Sequence, residues 1–396
     1  MFGNRQFPML SALTLVGITA LLAVAARPAL GQTETTLYNF TGVSGSLPYG
    51  GLTFNGGNFY GTTMGGGSYG GGTVFELSPN GDGGWNEAVL YSFSGGSDGD
   101  TPKAPVISDS LGNLYGTASK GSSNGCLYGF GCGLVFELSP VAGGWTETVL
   151  HTFNDNGDGA IPAGGLVMDS TGNLYGAIAE GGYLGAGAVF ELTPTGAGWT
   201  EQVIYSSIDG GPIQSVTMSA SGNIFGIGDQ QVFEISPDGS GGWNQIRNKF
   251  IDNNPTGSLV LDAAGNVYGI TNNGGRRDCG TVFQLSEKKK GWRKTILHSF
   301  KGYPKDGRFP TAIVLDATGN IYGTTNDGGV GDAGTLFKLA AQPGTAKYEE
   351  SILWMFGNGG GYEPNGNLVL DNVDNVYGTT YLGGAELDGA VYEVTP

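Results

Sequence analysis

Short runs in which apolar and polar positions alternate, each closed by Gly, Asn, Asp or Pro, fill the chain from Thr33 onward. A period of two is the signature of strands with one buried face, and no stretch after the N-terminus carries the spacing of an amphipathic helix. Four kinds of run recur in a fixed order. The first is apolar and ends in Asp, as at Leu166 to Asp169 and Leu259 to Asp262. The second is the phrase GNLYGTT or a variant, entered through a D-x-x-G-N turn such as Asp169-Ser170-Thr171-Gly172-Asn173. In that turn Asp caps amides and Gly takes positive φ. The third is VFEL, at Val74 to Leu77 and Val135 to Leu138, and the fourth follows a Gly-rich turn and a Trp, as in WTETVLHTF from Trp145 to Phe153.

The aromatic of the second run stands at Tyr60, Tyr115, Tyr175, Phe225, Tyr268, Tyr322 and Tyr377, so the unit occurs in seven copies. The seventh stops at its third run, Val391 to Pro396, and the missing fourth lies at the other end: TETTLYNF at Thr33 to Phe40 matches TETVLHTF at Thr146 to Phe153. A ring closes by pairing such a split unit, which removes an exposed sheet edge. The expected fold is all-β, a seven-bladed β-propeller of four-stranded blades closed by the N-terminal strand. It spans 32–396 as a single domain, with blade cores at 52–93, 103–153, 165–207, 215–250, 258–300, 311–356, and 367–396 completed by 33–40.

Residues 1–31 read as a signal peptide, with Arg5, an apolar stretch from Met9 to Ala26, and small residues Ala29 and Gly31 before the expected cleavage point. The alternative is an uncleaved membrane anchor. Cleavage leaves 16 basic against 35 acidic residues, a net charge of −19. Such a surface repels phosphates, so neither nucleic acid nor anionic lipid is an expected partner. The chain is Gly-rich, with 76 glycines, yet regular apolar strands interrupt them and argue against disorder.

Trp85, Trp145, Trp199, Trp243 and Trp292 share one repeat position, and Phe40, Phe93, Phe153, Phe250, Phe300 and Phe356 another. Aromatics repeated in this way predict packing between blades. If the N-terminal strand is outermost, the D-x-x-G-N and Ser-Pro hairpins share one face, and the long, variable loops share the other. Function is expected on the variable face, at residues that occur in one copy only. Cys126 and Cys132 are expected to form a disulfide around a loop that presents Tyr128 and Phe130. Arg276 and Arg277 offer two guanidinium groups beside Asp278 on an acidic protein, and Asp155, Asp158, Tyr362 and Glu363 add carboxylates and an aromatic. Asn154 to Gly159 has part of a calcium-loop pattern without its bidentate Glu, so calcium is a weak candidate and no other cofactor is expected. Cys279 is left over from an odd count.

His151 and His298 stand where other copies have Tyr38, Tyr91, Tyr205 and Trp354, which marks them as packing variants. Neither a His-bearing zinc site nor a Ser-His-Asp triad is expected. Gly66-Gly67-Ser68-Tyr69-Gly70 matches G-x-S-x-G but lacks the strand-to-helix setting of a nucleophile elbow.

The phrases GNLYGTT, GGTVFELSP and WTETVLHTF resemble the GloVer tandem-repeat family of exported bacterial proteins, described as choice-of-anchor. The resemblance covers essentially the whole mature chain and implies surface or secreted placement, without an activity. Because the sequence ends at Pro396 without a sorting tail, release is expected rather than retention. D-x-x-G-N-x-Y also resembles the turn of NHL-type and streptogramin-lyase-like propellers, whose lyases use a His with no counterpart in this chain. The resulting expectation is a secreted, monomeric module that binds or scaffolds an extracellular glycan or protein without catalysis. The rivals are a carboxylate-dependent polysaccharide lyase or hydrolase working in the central funnel, and a purely structural envelope protein.

Overall fold

The computed structural model describes residues 31–396 except 123–125, 127–128, 155–156, 183–184, 208–210, 229, 346 and 358–359; residues 1–30 of the expected signal peptide and the candidates Tyr128 and Asp155 lie outside the described residues. Seven antiparallel sheets stand in a ring. Blade one comprises Leu52–Asn55, Asn58–Thr63, Thr73–Pro79 and Trp85–Ser92, and each later blade repeats that order from the central channel outward. Blade three divides its inner strand into Ala160–Pro162 and Val167–Met168, both paired with Leu174–Glu180. In blade seven the outer strand is Thr33–Asn39, which pairs antiparallel with Ala390–Thr395 from Thr33↔Thr395 to Asn39↔Ala390. The ring is therefore closed by its own N-terminal strand.

Short-range chemistry fixes each hairpin. In the third copy Asp169 Oδ1 accepts the backbone N–H groups of Thr171 and Asn173 at 2.8 and 3.0 Å, while Oδ2 accepts from Asn173 Nδ2 and the Tyr175 hydroxyl at 3.0 and 3.1 Å. One carboxylate thus satisfies a whole turn. The shared Phe closing a blade packs steeply inclined against the third-strand ring of the next: Phe93 on Phe136 at 5.1 Å, Phe153 on Phe190 at 5.2 Å and Phe300 on Phe337 at 5.0 Å. The Trp position packs across seams as well, Trp243 on Tyr175 between blades three and four at 5.6 Å and Trp292 on Phe225 between blades four and five at 6.0 Å. Blade four departs from the pattern. There Phe250, expected at the closing position, is 62% exposed, and Ile251 is fully buried in its place: Ile251 is the eighth residue after Trp243, as Phe93 is after Trp85, so it is the true repeat equivalent.

Candidate functional site

The loops that lead from an outer strand into the next inner strand share a feature that the strand phrases conceal. Each carries an x-Pro step: Leu47-Pro48, Thr101-Pro102, Ile161-Pro162, Gly211-Pro212, Asn254-Pro255, Phe309-Pro310 and Glu363-Pro364. All six non-Gly residues before these prolines have left-handed backbones, with φ between 57° and 59°. Side chains rarely tolerate that region, and it persists where surroundings hold it. The restraint is a backbone hydrogen bond to the preceding blade: Leu47, Thr101, Ile161, Phe309 and Glu363 donate N–H to the carbonyls of Asp388, Gly71, Cys132, Cys279 and Ala333 at 2.8 to 3.0 Å. Cys279 therefore occupies the repeat position of Cys132, which accounts for the odd count; only blade two has the longer loop that brings Cys126 to bond its partner.

Immediately after the prolines the chain turns down into the central channel. The wide end, on the face of the variable loops, is a funnel of about 760 Å³. Its ring is set by Tyr49, Lys103, Gln214, Thr256, Thr311 and Asn365, and a second ring from the ends of the second strands adds Met64, Asn272 and Asn326. These are the positions at which the copies differ. Deeper, a throat of about 280 Å³ is lined largely by inner-strand aliphatics, among them Val106, Val167, Val216, Val260 and Val314.

Among the described lining residues Lys103 is the one charged side chain, and no described carboxylate pairs with it. Burial pushes its ammonium below the usual lysine range, and the charge of Lys120 adds to the shift. The funnel is otherwise a wall of amides, hydroxyls and backbone. No carboxylate is among its described lining residues.

The residues singled out from the sequence lie elsewhere. Asp158 caps the backbone N–H of Asn154 and meets His151 Nε2 at 3.2 Å; Asp98 does the same work in blade two's entry, accepting from Ser94 and Tyr91. Asp278 is a loop cap that accepts the Gly274 N–H at 2.6 Å, as Asp332 does for Gly328. Glu363 belongs to the repeated x-Pro step, with Tyr362 before it on the inner strand Gly361–Leu370. Arg276 and Arg277 are exposed, and Arg277 Nη1 donates to the Lys301 carbonyl at 3.4 Å. Phe130, beside the disulfide, is 63% exposed, with the Lys120 ammonium 5.3 Å from its ring.

A sequence profile described as the Gloeobacter/Verrucomicrobia repeat matches residues 25–234 and again 228–396. The chain belongs to this family. No protein of curated function matches the chain by sequence. Solved structures resemble this Gloeobacter/Verrucomicrobia repeat protein in fold alone. Streptogramin B lyase is similar at a TM-score of 0.59 and 14% identity, over 92% of this chain and 97% of that one. A provisionally assigned 6-phosphogluconolactonase of Bacteroides uniformis gives 0.54 and 15%, over 84% and 89%, and a protein from Lactobacillus plantarum 0.55 and 14%, over 88% and 98%.

The two histidines of the repeat protein are more than packing variants. Each stands edge-on to the closing Phe of its strand, as Tyr91 does, but also reaches across the outer seam towards carboxylates. Burial holds His151 towards its neutral form against the pull of Asp158. Across that seam Glu201, and across the preceding one Glu147, are pushed up to about 7 by burial and then by Asp158 and Asp98 respectively. At the seam between blades five and six, burial opposes charge on His298, but Asp306 and Glu350 lift it to about 9.

Proposed function

We propose that this protein is a non-enzymatic binding module that acts outside the cytoplasm and holds a hydroxyl-rich ligand, a glycan segment, in the funnel of its variable face. The observation that carries the reading is the contrast between scaffold and funnel. Turns, seams and closing aromatics repeat from blade to blade, whereas the ring of Tyr49, Lys103, Gln214, Thr256, Thr311 and Asn365 does not. Amides and hydroxyls on a rigid ring suit directional hydrogen bonds to sugar hydroxyls, and a lone desolvated Lys suits one carboxylate or sulfate on the ligand. The apolar signal-like N-terminus and the disulfide of blade two support an oxidising, exported setting.

Neutral and acidic oligosaccharides on an array, read for both retention and product release, test this reading. Retention of an acidic glycan without release is expected. Lys103→Ala should weaken it on the order of 10- to 100-fold, the worth of a hydrogen bond to a charged group. Released fragments would overturn the non-enzymatic reading. Binding indifferent to both Lys103→Ala and Asn326→Ala would move the site out of the funnel to the rim around Phe130.

A further inference from the structure

We infer that His298, Asp306 and Glu350 form a site for a divalent ion of the zinc class, clamped across the outer seam between blades five and six. His298 lies on the outer strand Gly291–Ser299 of blade five, Asp306 on the connection to blade six, and Glu350 on the outer strand Tyr348–Met355 of blade six. One donor atom from each falls within 4.8 Å of the others. Nε2 of His298 is 3.0 Å from Glu350 Oε1 and 3.7 Å from Asp306 Oδ2. Donors held at about 2.0–2.2 Å from one zinc-like ion sit roughly 3.0–3.5 Å apart, so little movement would seat it. An imidazole nitrogen with two carboxylate oxygens suits zinc and its first-row neighbours, whereas calcium prefers an all-oxygen shell.

Two further observations point to a guest. Nε2 of His298 and Oε1 of Glu350 are both sealed from solvent and face each other as an ion pair whose geometry is not that of an aligned hydrogen bond. A metal ion entering there would take the place of the imidazolium proton, leaving Nε2 and Oε1 as two inward-facing donors on one centre. Asp306, only 5% exposed, is already aimed: its Oδ2 accepts the Lys301 N–H at 2.8 Å and its Oδ1 the Gly307 N–H at 2.6 Å, the kind of outer support that orients metal ligands. The Lys301 ammonium stands 3.8 Å from Asp306 and 3.9 Å from Glu350 but is 60% exposed, so it can swing into water as an ion enters. No other trio of this kind converges among the described residues. The comparable seam at His151 has its Asp158 contact but not the third donor in reach.

The repeat supplies a safe variant, because Tyr91 already fills the equivalent place and bonds Asp98 at 3.2 Å. Metal-stripped protein titrated with Co²⁺ should develop visible d–d absorption, and Zn²⁺ should raise the thermal midpoint and displace the cobalt signal. His298→Tyr and Glu350→Gln should each weaken Co²⁺ binding tenfold or more, since removing a ligand costs at least as much as removing an outer-shell partner. His151→Tyr should leave it unchanged. The proposal fails if wild type shows neither signal. It fails equally if the signals survive both His298→Tyr and Glu350→Gln in variants that keep a cooperative unfolding transition.

Discussion

Glu147 and Glu201 occupy one repeat position, each tucked under a seam with its Oε1 buried and without a hydrogen bond. Glu147 faces Tyr91 and Asp98 of the preceding seam, and Glu201 faces Asp158, which in turn meets His151. Both ionise near 7 in the folded protein against 4.5 for the free side chain. Between those values the folded state keeps protons that the unfolded chain has shed, so stability falls as pH rises through that window. Urea midpoints should therefore drop from about pH 5 to about pH 8, and Glu147→Gln with Glu201→Gln should flatten the slope and stabilise the protein at the alkaline end. His151 acts in the opposite sense, because below 6.5, down to its lowered folded value, the unfolded chain holds the extra proton and stability rises with pH; the Gln variants isolate the glutamate effect. None of this was legible from the residues. The repeat alignment placed both histidines correctly beside tyrosines, but their partners sit on the next blade, far along the chain, where only a folded ring brings them near.

At the scale of elements, the loop interlock carries the ring's rigidity. In most copies a Gly between the second and third strands backs onto the proline ring of the following blade. A Cβ at Gly334 would lie 2.5 Å from the Thr325 carbonyl and 2.6 Å from Pro364 Cδ, at a φ of +99°. Gly334→Ala is therefore expected to destabilise by about 1–3 kcal/mol in chemical denaturation, through overpacking and backbone strain. Gly196→Ala, with open space around it, should be nearly neutral and serves as the control. Strands, turns and seams were readable because alternation and D-x-x-G-N turns are local signals. The x-Pro steps were equally present in the letters, at Leu47-Pro48 through Glu363-Pro364, but lie in loops of unequal length that the strand phrases do not align. Left-handed backbone at Phe309 or Glu363 has no sequence mark at all, since neither residue type favours it. For the same reason the funnel ring escaped: Lys103 and Asn365 look like ordinary loop residues until the turn after each proline points them at one axis. Asp278 caps the Gly274 N–H within its own loop, and Asp158 meets His151 of the preceding outer strand.

For the whole molecule, closure rests on one outer strand. Thr33–Asn39 contributes the last hydrogen-bonded edge of blade seven, and Phe40 behind it is fully buried against Phe75 of blade one at 4.9 Å. Removing residues 32–40 should open the ring, replacing one cooperative transition by a broader one with a midpoint many degrees lower in calorimetry. A synthetic peptide of the same residues should restore the single transition if the strand acts by pairing.

The same strand makes the ring mechanically asymmetric. Thr33 and Thr395 face each other at one end of the closing ladder, so tension applied between the two ends of the domain loads that first pair before any other. The ladder then parts like a zip, one rung at a time, whereas a pull across two other blades would strain their rungs together. A single-molecule stretch from the termini is expected to begin with a small, low-force step that releases blade seven, with the remaining six blades giving way later and more abruptly.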